Sequence, residues 1–273
     1  MLSDFFVITP FNVPFFVIIA LTAALGFFLI FFNRNKDERT RRRVVVILYS
    51  LTVLLFFVYK FALSLDKPYS ELRVDAGLGA FNFWDELPLN LCNINMILIV
   101  IGVLTKSRTI LSFNFFFGTL GALFPIFMPV VGFTGYGFFM PRVFGYYVTH
   151  LIILLELPLL AGLKLYRPKF RDILPTVGVM AGITALMTGV NFLLRGTGLS
   201  EAANYFYTVN PSENPLLELF YKWIPCPGLY VLPCALIAVP YMLIVTAQFE
   251  LSDRRKAKNE KSVREDVAPV SAE

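Results

Sequence analysis

A thiol and three carboxamides fall within six consecutive residues, Asn90-Leu91-Cys92-Asn93-Ile94-Asn95, one residue after the charged turn Trp84-Asp85-Glu86-Leu87-Pro88. The chain has a single histidine, His150, which closes the run Tyr146-Tyr147-Val148-Thr149-His150. A cysteine and an imidazole at one level can form a nucleophile and base pair, in which the ring takes the thiol proton and later returns it. Pro88 suits the first turn of a helix. On such a helix Asn90 and Asn93 share a face, with Cys92 and Asn95 as the adjacent pair. A helix N-terminus stabilises negative charge, an effect that fades within the first turn. A purely structural alternative stays open, with the asparagines as interhelical hydrogen-bonding groups and Cys92 as filler.

The elements that carry these residues are apolar. Of 273 residues 57% are hydrophobic and only 16% charged, against about 45–50% and 25% in soluble domains. Segments near 11–32, 44–65, 87–105, 110–132, 141–163, 173–194 and 228–249 each meet the ~20 apolar residues that a span requires. This pattern predicts an all-α fold, a polytopic transmembrane helical bundle of about seven spans over residues 1–249. The charged residues 250–273 read as a disordered tail. The first run follows no basic segment and reads as a retained span.

Eighteen of the 24 Lys and Arg residues follow spans one, three, five and seven. An excess of Lys and Arg marks the cytoplasmic side, so the C-terminus reads as cytoplasmic and the N-terminus as outside. The net charge of +5 is then a topology signal, and nucleic-acid binding is not expected. Three cysteines at irregular spacing form no disulfide framework. One histidine and no Cys-x-x-Cys predict neither a metal site nor a cofactor.

Further polar groups lie in the spans. Glu156, just before Leu157-Pro158, reads as a structural group that caps a freed carbonyl or pairs with Lys60 or Arg142. Asn191 reads as helix glue. The connection from Arg195 to Pro227, with Asn204-Tyr205-Phe206 inside it, could lie over the outer mouth of the bundle as a lid.

Leu87-Pro88-Leu89-Asn90-Leu91-Cys92-Asn93-Ile94 resembles the signature of the YwaF-like bacterial membrane proteins, which are related to the transmembrane protein 164 family of animals. The histidine of Tyr146-Tyr147-Val148-Thr149-His150 and the loop residues Asn204-Tyr205 with Pro215-Leu216-Leu217 match further marks of that family. The animal members are regarded as cysteine-dependent acyltransferases acting on phospholipids. The resemblance implies Cys92 as nucleophile and His150 as base, with phospholipids or lysophospholipids as partners and a location in the cell membrane. Asn90, Asn93, Asn95 and Tyr147 would give polar or oxyanion support. One position departs: Asn90 stands where the family pattern has histidine, and a carboxamide donates a hydrogen bond but takes no proton at neutral pH. Two other readings fit the same residues: a binding or transport protein holding a small solute in a polar outer pocket, and a structural subunit of a membrane complex.

Overall fold

In a computed structural model the chain is described over residues 6–129, 132–212 and 214–267. It is a helical bundle with one two-residue antiparallel pair, β1 (Val7–Ile8) against β2 (Tyr136–Gly137). The helices are α1 (Val13–Asn33), α2 (Glu38–Ser64), α3 (Lys67–Asp75), α4 (Leu91–Thr105), α5 (Arg108–Phe113), α6 (Thr119–Phe127), α7 (Pro141–Leu154), α8 (Glu156–Gly162), α9 (Ile173–Gly196), α10 (Pro215–Trp223) and α11 (Ala235–Val267). A π-turn at Asn114–Gly118 joins α5 to α6. Residues 268–273 of the charged tail lie outside the described residues.

Side chains fix where the helices begin. Asn12, Asp37, Asp66 and Asn214 each accept a first-turn backbone N–H, at the starts of α1, α2, α3 and α10, which satisfies donors that a helix N-terminus otherwise leaves free. Six stretches are long and apolar enough to cross a membrane: Val13–Asn33, Glu38–Ser64, Arg108–Phe127, Pro141–Gly162, Phe170–Gly196 and Leu232–Asn259. The remaining apolar helix, α4, has only 15 residues. At 1.5 Å per residue it is about 22 Å long, short of a ~30 Å hydrocarbon layer. The expected third span from residue 87 therefore begins four residues late. Pro88 disfavours helical backbone at Leu87, and the residues before it are pinned elsewhere.

Hydrogen bonds gather the basic segments at one end. Arg41 Nη1 donates to Leu163 O at 2.5 Å and Arg42 Nη1 to Val103 O at 2.9 Å, so guanidinium groups cap the last carbonyls of α8 and α4. Arg108 binds both carboxyl oxygens of Asp172 at 2.7 and 2.6 Å, and Arg167 pairs with Asp253 at 2.5 Å. The connections α1–α2, α4–α5 and α8–α9 thus share this basic end with the late part of α11. Because α4 ends there, its start is recessed into the bundle from the opposite end.

Large apolar side chains on α1, α9 and α11 are exposed, among them Phe27, Phe31, Leu174, Leu186 and Leu236, as suits faces turned to lipid. Lipid supplies no hydrophobic drive between helices, so close packing and hydrogen bonds must hold them together. One close crossing is α2 on α7. A Cβ added at Gly145 would lie 2.2 Å from Tyr59 Cγ and 2.3 Å from Tyr59 Cβ, atoms too close to the backbone to swing away. Gly145→Ala is expected to force these helices apart at a cost of about 1–3 kcal/mol. A lowered thermal midpoint of the detergent-purified protein checks this, and an unchanged midpoint refutes it.

Candidate active site

The site is built on the recessed start of α4. Asn90 occupies the cap position with extended backbone but makes no side-chain cap bond, and the first helical bond runs from Ile94 N to Asn90 O. The N–H groups of Leu91, Cys92 and Asn93 therefore have no intrahelical acceptor, and the positive end of the helix dipole lies here.

An ion network holds this start in place. Glu86 receives Lys60 from α2 and Arg73 from α3, the latter at 2.9 Å, while Arg73 also reaches Asp85 at 2.7 Å. The four side chains are 9–11% exposed. Tyr69 donates to Glu86 at 3.3 Å. Burial and the Glu86 carboxylate push that phenol up to about 12, so it remains a neutral donor. From the opposite side Ser200 donates to Asp85. Tyr205 OH donates to Trp84 O at 2.5 Å and accepts from Leu87 N at 3.1 Å. Asn191 of α9 grips Tyr205 in turn, through Tyr205 O and Tyr205 N, both at 2.8 Å.

Cys92, the second residue of α4, is buried, and its thiol contacts Asn93 Oδ1 at 3.6 Å. Tyr59, Lys60, Tyr146 and Tyr207 stand within electrostatic reach of the sulfur. His150 is buried on the neighbouring α7. Its Nδ1 pairs with Tyr146 O at 2.7 Å, which assigns the proton to Nδ1 and leaves the lone pair on Nε2. Among the described residues Nε2 makes no hydrogen bond, and none joins His150 to Cys92. Tyr146 is their shared neighbour: its ring centroid lies 4.5 Å from the imidazole, and its hydroxyl donates to Pro125 O of α6 at 2.8 Å.

The other candidate residues divide. Asn93 stays beside the sulfur. Asn90 is exposed and lines a crevice of about 170 Å³ together with Arg73, Asp85, Asn204, Tyr205 and Tyr207. Because Asn90 lies outside the helix, the expected shared face with Asn93 does not form. Asn95 turns away from Cys92: its Nδ2 donates to Leu91 O at 2.8 Å and its Oδ1 accepts from Asn114 at 3.0 Å. Tyr147 packs behind Tyr146, ring to ring at 5.4 Å. Tyr205 lies buried over the start of α4, whereas Asn204 folds its own loop by donating to Asn210 O at 2.9 Å. Glu156 pairs with neither Lys60 nor Arg142; Arg142 binds Asp66 at 2.6 Å, and Glu156 meets Asn114. Among the described residues no group of three or more His, Cys, Asp and Glu side chains converges.

Sequence reasoning gave no role to Tyr59, Arg73, Tyr207 or Asn114. Asn114 carried a readable signal, a lone carboxamide inside Phe113-Asn114-Phe115-Phe116-Phe117.

A model of the TMEM164 family matches residues 7–246. The chain belongs to the TMEM164 family. No curated protein and no solved structure matches it. The matched stretch takes in the whole ion network, Cys92 and His150, and it makes this TMEM164-family chain a multi-pass membrane protein together with its six long apolar stretches.

Removing Glu86 leaves Lys60 and Arg73 buried without their shared carboxylate. Glu86→Gln is expected to destabilise the protein by about 3–5 kcal/mol and to raise the accessibility of Cys92 to a maleimide. Unchanged melting together with unchanged alkylation would show that the network does not hold α4.

Proposed function

We propose that this chain transfers acyl groups between phospholipids and lysophospholipids through a thioester on Cys92. The observation that supports this most is that Tyr146 neighbours both groups: it stands within electrostatic reach of the buried thiol at the uncapped start of α4, and its ring lies 4.5 Å from an imidazole whose Nδ1 is tied down and whose Nε2 is free. Family membership supports it at the level of the whole chain.

The steps follow from these groups. His150 Nε2 takes the Cys92 proton as the sulfur attacks the ester carbonyl of a phospholipid. The carbonyl oxygen gains negative charge, which the free N–H groups of the first turn of α4 and the carboxamide of Asn93 would stabilise. The ester C–O bond breaks, and the leaving alkoxide takes the proton from the imidazolium, giving a lysophospholipid and the Cys92 thioester. A lysophospholipid hydroxyl then gives its proton to His150 and attacks the thioester, so that a new ester forms and the thiol returns. Asn90, which lines the crevice, can donate a hydrogen bond but takes no proton. His150 therefore carries the acid and base work alone. The basic end faces the cytoplasm in this reading and the crevice opens to the outside of the cell membrane.

The crevice also favours a second reading, a binding protein for a small polar solute. Its lining combines Arg73, Asp85, Asn90 and Asn204, enough to hold such a molecule without covalent chemistry.

Lipid-reconstituted protein supplied with labelled acyl chains separates the two. Wild type is expected to yield an acyl adduct on Cys92 by intact mass and labelled phospholipid as product. Cys92→Ala is expected to abolish both, and His150→Gln to slow transfer by roughly 10²–10⁴-fold. Full transfer by the Ala variant removes the acyl-enzyme. Ligand protection of Cys92 from alkylation, with no adduct at any time, supports the solute-binding reading instead.

A further inference from the structure

Below the Cys92 level lies a second polar cluster that the acyl-transfer steps do not use. Asn114, in the π-turn, is fully buried, and its Nδ2 donates to Asn95 O at 2.8 Å, Asn95 Oδ1 at 3.0 Å and Glu156 Oε2 at 3.3 Å. Glu156, the first residue of α8, is also fully buried. It sits where Pro158, which lacks an N–H and crowds the carbonyl four residues back, interrupts the α7–α8 helix. Space for its carboxyl comes from Gly118, where a Cβ would lie 1.7 Å from Glu156 Oε2.

The cluster is rich in acceptors and poor in donors. Asn114 Nδ2 has two hydrogens and three oxygens to serve. Two buried oxygens, Glu156 Oε1 and Asn114 Oδ1, have no hydrogen-bond partner. Both belong to the two groups already joined along one edge by Asn114 Nδ2 and Glu156 Oε2. One hydrogen on Oε1 would supply the missing donor for Asn114 Oδ1 and close the second edge. Among the described residues no cationic side chain does the same: Lys60 is paired with Glu86 and Arg142 with Asp66, and Glu156 forms no ion pair. Among the described residues, Tyr49 of α2 and Cys92 of α4 are titratable groups within electrostatic reach of Glu156.

We propose that Glu156 and Asn114 form an acid–amide pair that holds one proton in the middle of the bundle and ties the Cys92 helix to the His150 helix. The carboxyl O–H donates to the carboxamide oxygen, and the carboxamide N–H donates to the carboxyl oxygen. The remaining hydrogen of Asn114 Nδ2 holds Asn95, three residues after Cys92. Glu156 follows His150 by six residues across the helix break, so one side chain of the π-turn spans both reactive helices. Asn114 is a positioning residue here, and the inference does not rest on acyl transfer.

Infrared spectra of the full chain in lipid vesicles at neutral pH test it. Wild type is expected to show a carboxylic-acid carbonyl band that is lost in Glu156→Gln and displaced in Glu156→Asp, the latter securing the assignment should the Gln variant fold poorly. In a Cys226→Ser, Cys234→Ser background, Glu156→Gln is expected to keep the melting temperature and the Cys92 alkylation rate, since its carboxamide can also donate to Asn114. Asn114→Leu is expected to lower melting and to speed Cys92 alkylation roughly threefold or more, the equivalent of one interhelical hydrogen bond in a membrane. A carboxylate band assigned to Glu156 overturns the proposal. So does a sodium-dependent rise in melting temperature that Glu156→Gln removes, which would make the occupant a metal cation.

Discussion

A buried carboxylate that must not lose its cations governs the end of this bundle where α4 begins. Glu86 stands in irregular backbone before the recessed helix and gathers Lys60 from α2 and Arg73 from α3. Such backbone is tolerated at membrane depth only when its polar groups are satisfied within the protein. Charges in low dielectric attract strongly but are costly to desolvate, so the network adds little as an ion pair and much as a constraint. With the turn fixed, α4 can begin only at Leu91. The thiol then sits in the first helical turn rather than deep in a span.

From that anchor the bundle is assembled by side chains that each bridge two helices. Tyr146 joins α7 to α6 through Pro125 O while its ring lies against His150. Tyr205 and Asn191 clamp the long connection after α9 onto the residues before α4. At the basic end the same work is done by arginines on helix-terminal carbonyls. The contrast with α1, whose large side chains are mostly turned outward, separates an interior of bridged helices around α2, α4 and α7 from this peripheral helix.

The helical class and the alternation of basic segments were legible in the sequence because each is a local property: runs of apolar residues, and Lys and Arg clustered between them. Cys92 and His150 stood out as single reactive groups in apolar surroundings. What lay beyond reach was direction. Asn93 and Asn95 are two residues apart, about 200° around a helix, so one faces the sulfur and the other faces Asn114, and spacing alone does not say which. Tyr146 and Tyr147 posed the same problem four and three residues before His150. Asn90 misled for another reason: the helix on which it would share a face with Asn93 had not yet begun. The pairing of Lys60, Arg73 and Glu86 joins three elements whose approach no local pattern encodes.

The π-turn at Asn114–Gly118 also sets an angular phase. A π-turn amounts to one residue inserted into an α-helix, and one residue corresponds to about 100° of rotation. Everything in α6 beyond it, including the Pro125 carbonyl that receives Tyr146, points where an uninterrupted helix would not aim it. A chain one residue shorter in this turn could keep the same hydropathy and the same length of span, yet present a different face of α6 to the histidine helix. Besides the residue types of Asn114 and Gly118, the count of residues in this segment therefore matters, and a deletion here would act as a twist rather than as a gap.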